Sequence, residues 1–348
     1  LITKETIMKI TKILVALSFL FGISTANAGE LTVTGSMEAT YMSETEGANS
    51  TTGNPLGTDR ELTFSGSTEL DNGITVSVMQ DTTDSLGYGD NKITFAGVAG
   101  IVDIYVGADG SPVDAIDDVT PTAYEEANGS GSGTLNDIGD LAGEMGIGFK
   151  FSVPFLGSVD AKYIPKADNT ENADNNTSGA VANSVGDGQS IAIKTNLSEL
   201  PFIGGALEGA TLTTGYETIE IAADLNTSEQ HDATVALNYA TGPIKFGIQR
   251  KFHDEGQTVS TTDAVFYKDL AIGLAYTVND SLSISFNRYT SKRHNTASAN
   301  SEQETDAINI GYTLGGMTIG FQDATTDNAG WSNGAKDDTR TLGVSVAF

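Results

Sequence analysis

One segment of the chain concentrates carboxylates. Residues 109–144 read DGSPVDAIDDVTPTAYEEANGSGSGTLNDIGDLAGE and contain nine acidic residues and no basic one. Carboxylates that face one another in a narrow, partly desolvated passage raise the local cation concentration and repel anions. A connection of this length within a compact structure is uncommon and is usually functional or disordered. The alternative is an acidic loop that lies in solvent, outside the body of the protein.

The same segment carries the hard oxygen ligands that calcium prefers. Asp114, Asp117 and Asp118 are therefore the residues of a candidate calcium site, although their spacing is not that of an EF-hand loop. No cofactor is required by any other motif of the sequence.

Three lysines have a spacing that places them on one surface. Lys150, Lys162 and Lys194 lie in three successive alternating segments, each at a position on the polar face. We therefore expect them near mid-height on adjacent strands. Such a basic wall could oppose the acidic segment and create a transverse field. Alternatively, each lysine pairs with a neighbouring acid such as Asp103 or Asp160.

Enzyme chemistry has little support in the sequence. The histidines, His231, His253 and His294, are far apart, and no Ser/His/Asp order, phosphate-binding glycine loop or metal-ligand spacing stands out. We expect a protein that is not an enzyme. The formal net charge of −28 argues against nucleic acid as a partner, because phosphate binding needs clustered Lys and Arg.

The elements that position these residues are β-strands. Segments with period-two alternation of apolar and polar residues follow one another along almost the whole chain. They are 30–42, 60–70, 74–83, 91–97, 101–109, 145–153, 158–166, 190–198, 209–221, 232–240, 244–252, 264–278, 281–290, 306–314, 317–325 and 341–348. Short and long connections alternate between them, and this sorting by parity is typical of a bacterial outer-membrane barrel.

The sequence therefore predicts an all-β fold, a 16-stranded antiparallel transmembrane β-barrel over residues 29–348, with short periplasmic turns and long extracellular loops. The alternative from a different class is a secreted or surface-attached β-rich binding protein.

The first residues have the pattern of an export signal. Lys9 and Lys12 precede an apolar run over residues 13–23, and the tripeptide Ala26-Asn27-Ala28 follows. We expect residues 1–28 to be an upstream extension plus a signal peptide that is cleaved after Ala28. Export of a barrel through the periplasm predicts residence in the cell outer membrane.

Five cations share parity with the apolar residues of their strands and lie toward the long-loop ends. A cation at the midplane of a barrel costs about 2–4 kcal/mol but little near the interface. We expect contacts with outer-leaflet lipopolysaccharide phosphates or with a neighbouring subunit, unless β-bulges return these side chains to the pore. The residues are Arg60, Arg250, Lys268, Arg288 and Arg340.

The chain ends in TLGVSVAF, where Leu342, Val344, Val346 and Phe348 alternate with small or polar residues. With the export signal, the sixteen strands and the outsized third long loop, this ending resembles the general-diffusion porins of Gram-negative outer membranes. In that family a terminal Phe preceded by alternating apolar residues is read by the barrel-assembly machinery. Arg340 stands where the family often has another aromatic residue.

The resemblance implies further properties. It implies a homotrimer in outer-membrane lipid, and a third loop, about residues 109–143, that folds inward and constricts the pore. Asp114, Asp117, Asp118, Glu125 and Glu126 would then lie at the constriction, with small hydrophilic solutes and cations passing by diffusion. A substrate-specific channel is the alternative within this class. We also expect the last strand to close the barrel against the first, with the Gly29 amine near the Phe348 carboxylate.

Overall fold

The computed structural model describes residues 31–46, 54–82, 87–127, 138–139, 141, 145–165, 186–220, 229–254, 256, 264–295 and 301–348. The signal segment predicted over residues 1–28, and Gly29, lie outside this part of the chain. Among the described residues, no helix is long and apolar enough to cross a membrane.

Sixteen strands account for most of the described chain. Their bounds are β1 Leu31–Glu46, β2 Leu56–Glu69, β3 Thr75–Thr82, β4 Tyr88–Val98, β5 Val102–Ala108, β6 Gly146–Val153, β7 Gly157–Ile164, β8 Gly188–Asn196, β9 Ala210–Ile219, β10 Gln230–Thr241, β11 Ile244–Asp254, β12 Ala264–Asn279, β13 Leu282–Asn295, β14 Ser301–Leu314, β15 Met317–Asp327 and β16 Lys336–Ala347.

Each strand pairs with its sequence neighbours, and β1 pairs antiparallel with β16, so the sheet closes into a barrel. At this seam the Gly35 N–H donates to the Phe348 carbonyl at 3.0 Å, and the Phe348 N–H donates to the Gly35 carbonyl at 3.0 Å. Closure leaves no strand edge without a partner, which a structure in hydrocarbon requires. The predicted antiparallel barrel of sixteen strands is confirmed.

The two faces of the wall have opposite chemistry. In β14, Ile308 is 57% exposed and Ile310 is 39% exposed, whereas Asn309 between them is fully buried. The same alternation of exposed apolar and buried polar side chains runs through β10 to β13. A wall that turns its large apolar side chains outward needs lipid around it.

Tight turns join the strands at the end where β16 finishes. Gly73, Gly242 and Gly315 supply the positive φ that such turns need. Phe155 and Phe202 adopt positive φ at this end with a bulky side chain, which L-residues rarely do. The strand ends that the long connections join lie at the opposite end.

Several strands are longer than the sequence predicts. β13 continues to Asn295, β14 begins at Ser301 and β16 begins at Lys336. In these extensions the outward residues are charged, as in the pair Lys292–Glu302 at 2.8 Å. Backbone pairing continues there although both faces of the sheet are polar, so period-two alternation of hydrophobicity does not mark the ends.

The cations with apolar parity lie on the outer face. Arg288 shares the face of Ile284 and Phe286, and the pairing of β13 with β14 runs past it without a register shift. Its Nε donates to Asp306 Oδ1 at 2.6 Å. Arg340 likewise pairs with Asp323 of the neighbouring strand at 3.2 Å. The alternative in which a bulge returns Arg288 to the lumen is therefore wrong.

Candidate functional site

The connection between β5 and β6 begins with a cluster of ion pairs. Asp109 pairs with Lys92 of β4 and lies 3.6 Å from the Nζ of Lys162 of β7. The same Nζ donates to the Gly110 carbonyl at 2.7 Å. Lys162 is buried, so its ammonium group binds the first residues of the loop and does not face the open lumen. The prediction that Lys162 belongs to a basic wall of the pore is therefore corrected. Lys162 pairs with a neighbouring acid, as the alternative predicts, but that acid is Asp109 of the loop.

The loop then runs along the inner surface of the barrel. The Val113 N–H donates to Ser190 Oγ of β8 at 3.2 Å, and the Val113 side chain is fully buried. A short 3-10 turn follows over Asp114–Ile116. Gly215 of β9 makes room for it, because a Cβ at that position would lie 2.7 Å from Ile116 Cδ1. The first limb of the loop therefore lies against β8 and β9.

Gln249 of β11 holds the next turn of the loop. Its Nε2 donates to the carbonyls of Ile116 at 2.9 Å and Asp117 at 2.7 Å, and its Oε1 accepts the Val119 N–H at 3.0 Å. The Lys251 Nζ lies 2.9 Å from Asp117 Oδ1. Asp117 is therefore ion-paired at the wall, which lowers its contribution to the field in the lumen.

Amides and hydroxyls of later strands hold the loop tip. Asn287 of β13 donates to the Pro121 carbonyl at 2.9 Å, and Gln322 of β15 donates to the Glu126 carbonyl at 2.6 Å. The Ala123 N–H donates to Ser285 Oγ at 3.0 Å. These wall side chains bind main-chain groups of the loop, whichever side chains the loop carries.

The return limb is fastened by buried acids. The Gly139 N–H donates to Asp232 Oδ2 at 2.9 Å, and the Leu141 N–H donates to Glu217 Oε1 at 3.0 Å. The other oxygen of Asp232 lies 2.6 Å from His253 Nδ1. Leu141 itself is buried with apolar side chains of β7 and β9. The described parts of both limbs are thus attached to the inside of the wall.

Carboxylates gather on the part of the loop that lies along β11 to β15. Partial desolvation by the surrounding barrel, followed by repulsion from Glu126, raises the pKa of Asp118 to about 6, although the residue is exposed inside the barrel and Lys251 acts in the opposite direction. Withdrawal from water, together with repulsion by Glu126, Glu38 and Asp118, raises the pKa of Glu125 to about 7. The mutual repulsion shows that these acids share one negative field.

The structure separates the five predicted acids into groups. Asp118, Glu125 and Glu126 share the cluster just described. Asp117 pairs with Lys251, and Asp114 is exposed on the 3-10 turn. Glu38 of β1 joins the cluster, and sequence reasoning missed it because only the folded loop brings it there. Within the described part of the chain, no group of three His, Cys, Asp or Glu residues could hold a metal ion, and the calcium site considered at Asp114, Asp117 and Asp118 stays a prediction.

A cavity of about 600 Å³ separates the first limb of the loop from the wall of β5 to β8. Lys150 and Lys194 line it from the wall, opposite Ala115 and Ile116 of the loop. Lys150 lies 3.0 Å from Asp160, so its charge is partly offset, as the alternative of neighbouring acids predicts. Two of the three predicted lysines therefore line this passage, and Lys162 does not.

A closed barrel with an apolar outer face, a polar inner face and a charged loop held against the inside of its wall defines a channel protein of the membrane. A sequence profile of the Gram-negative porins matches residues 14–328, and the chain therefore belongs to the Gram-negative porin family. Proteins of this family and fold are channel proteins of the outer membrane, not enzymes. The resemblance drawn from the sequence is confirmed.

Solved structures share this fold at low sequence identity. OmpF from Salmonella typhi, solved in complex with daunomycin, is 15% identical with a TM-score of 0.63, over 92% of this chain and 98% of that chain. OmpT from Vibrio cholerae is 8% identical with a TM-score of 0.65, over 94% and 100% of the two chains. An anion-selective porin from Comamonas acidovorans is 12% identical with a TM-score of 0.63, over 92% and 100%. No curated protein sequence matches the chain significantly.

Proposed function

We propose that this porin is a cation-preferring channel for the passive diffusion of small hydrophilic solutes and ions. The observation that carries the proposal is the cluster of Asp118, Glu125 and Glu126 on a loop that is held inside the lumen. A negative field in a narrow, partly desolvated passage attracts cations and excludes anions. The fold alone does not decide the sign, since an anion-selective porin shares it.

Lys150 and Lys194 give the proposal a second element. They line the wall across the cavity from the loop, so the field has a transverse component. Asp117 adds little to this field, because Lys251 forms an ion pair with it.

Reversal potentials in planar bilayers test the selectivity. Under a KCl gradient at pH 8, the protein should show a reversal potential of cation sign. The triple variant Asp118→Asn, Glu125→Gln, Glu126→Gln should lose most of it. The matched control removes three exposed acids at the short-turn end, Glu69→Gln, Asp71→Asn and Asp280→Asn, and should retain the preference. Anion preference in the unmodified protein would refute the proposal.

The same proposal includes assembly and export. A Vibrio cholerae OmpT structure is described as a trimer form, and this supports a homotrimer here, inserted by the barrel-assembly machinery. Native mass spectrometry of the detergent-extracted protein should give three copies, and a monomer would contradict this part. Export by a signal peptide over residues 1–28 predicts Gly29 as the first residue of the outer-membrane form, which N-terminal sequencing would show.

The outward cations provide a contact for outer-leaflet lipopolysaccharide. Arg288 and Arg340 lie on the outer face beside acidic partners, and phosphates would meet their remaining N–H donors. Co-purified lipopolysaccharide should decrease in the double variant Arg288→Gln, Arg340→Gln. Unchanged lipopolysaccharide content would refute this contact.

A further inference from the structure

Tyr124 at the loop tip fills a slot that only glycine could leave open. Gly320 of β15 and Gly343 of β16 are cross-strand partners on the inner face. A Cβ at Gly320 would overlap the Tyr124 ring, and a Cβ at Gly343 would overlap its hydroxyl. Because Gly320 and Gly343 have no side chains, the wall leaves enough space for the Tyr124 side chain.

The hydroxyl of the same side chain reaches the other side of the barrel seam. Tyr124 Oη donates to Glu38 Oε1 of β1 at 2.7 Å. One side chain of the loop thus contacts β15, β16 and β1, where the last strand closes on the first.

The slot continues a path of glycines under the loop. Gly311 of β14 is the cross-strand partner of Gly320, and a Cβ there would overlap the Ala123 carbonyl. Gly247 and Gly273, which pair with each other on β11 and β12, make the same kind of room for Pro121. These five glycines leave room for the loop tip, in addition to Gly215 under the first limb, and Tyr124 lies at the end of this path.

We propose that Tyr124 is a positioning residue that fixes the loop tip on the β16–β1 seam and thereby sets where Glu125 and Glu126 stand in the pore. The proposal rests on the proposed function in one respect, that these carboxylates govern permeation. Tyr124 is a specificity-determining residue that acts through position: its ring fills the slot and its hydroxyl supplies the attachment. Net loss of one hydrogen bond should raise the ratio of detached to attached loop roughly 2- to 10-fold.

Amide hydrogen exchange tests the attachment without reference to conduction. In the full-length protein in detergent, Tyr124→Ala should speed exchange in peptides covering residues 111–127 and leave those covering β16 unchanged. Tyr124→Phe, which keeps the ring, should have a smaller effect. The control Tyr41→Phe alters an outward tyrosine of β1 and should have none. Unchanged loop exchange in Tyr124→Ala would overturn the proposal.

Single-channel recording then tests the consequence. Tyr124→Ala and Gly343→Ala, which fills the slot, should both increase open-channel current noise and move the reversal potential toward zero. Glu38→Gln retains an acceptor for the hydroxyl and should preserve low noise. Faster exchange with unaltered noise and selectivity would contradict the positioning role and leave the proposed function standing. Anion preference in the unmodified protein would contradict the proposed function instead. Unaltered exchange with selectivity intact would contradict the attachment alone.

Discussion

Glu125 and Asp118 carry pKa values close to physiological pH, and the reason is their shared confinement in the lumen. Each is partly desolvated by the surrounding barrel and repelled by Glu126. A raised pKa means that the neutral acid predominates at pH values below it. The negative charge of the loop is therefore complete only above about pH 7 and decreases as the pH falls through 7 and then 6.

This titration predicts pH-dependent selectivity. Reversal potentials measured from pH 8 to pH 5 should show a cation preference that declines through this range, because Glu125 and then Asp118 become neutral. In the double variant Asp118→Asn, Glu125→Gln, the reversal potential should change less with pH over the same range. A preference that rose on acidification would contradict the assignment.

The lysines predict two separable effects. Lys194→Gln should increase cation preference with little change in stability, because Lys194 is exposed in the cavity beside the loop. Lys162→Met should destabilise the protein by about 1–3 kcal/mol, because it leaves buried polar partners unsatisfied. Urea unfolding of vesicle-inserted protein and reversal potentials distinguish the two. Equal unfolding midpoints for both variants would contradict the different roles of these lysines.

Residue-level prediction from sequence succeeded where parity alone decides the outcome. Parity placed Lys150 and Lys194 on the inner face and Arg288 on the outer face. Parity could not reveal that Lys162 would be buried and paired with Asp109, or that Lys251 would form an ion pair with Asp117. Those partners are separated by 53 and 134 positions in the chain, and only the path of the loop brings them together.

At the scale of the strand, the outward face must be apolar where lipid covers it. The outward face of β14 presents Ile308, Ile310 and Tyr312 to the membrane. Ile310→Arg should destabilise the barrel by about 2–4 kcal/mol if it lies near the bilayer midplane, and Ile310→Val should change stability little. Urea titration in phospholipid vesicles measures both. Equal stability of the two variants would argue that lipid does not cover this face.

The existence and order of the strands could be predicted because one buried and one lipid-facing surface impose period two. Strand ends could not, since the ladder of β13, β14 and β16 continues where both faces are polar. The mid-strand glycines Gly273, Gly311 and Gly343 were a signal that sequence analysis did not use. A glycine inside a strand often marks close approach of another backbone. Here the loop backbone approaches Gly273 and Gly311, and the Tyr124 hydroxyl approaches Gly343.

At the scale of the whole molecule, we expect closure of the barrel to depend on Phe348. Phe348 exchanges two backbone hydrogen bonds with Gly35, and its ring lies against that glycine. Deleting Phe348 should reduce the yield of folded barrel, while barrels that do assemble should keep normal conductance.

Heat-modifiable mobility on gels measures the folded fraction, and single-channel recording measures conductance. Phe246→Ala, which removes an outward aromatic of β11 away from the seam, is the matched control. Undiminished assembly without Phe348 would show that the terminal residue does not direct closure.

The hydrogen bonds that hold the loop on the wall have a consequence for how such channels evolve. Gln249, Asn287 and Gln322 bind carbonyl groups of the loop. Every amino acid supplies a carbonyl group, so exchanging Asp118 or Glu126 for another residue leaves these attachments in place. Permeability can therefore change by single substitutions without loss of the scaffold, and evolution could adapt the pore to a new set of nutrients one residue at a time.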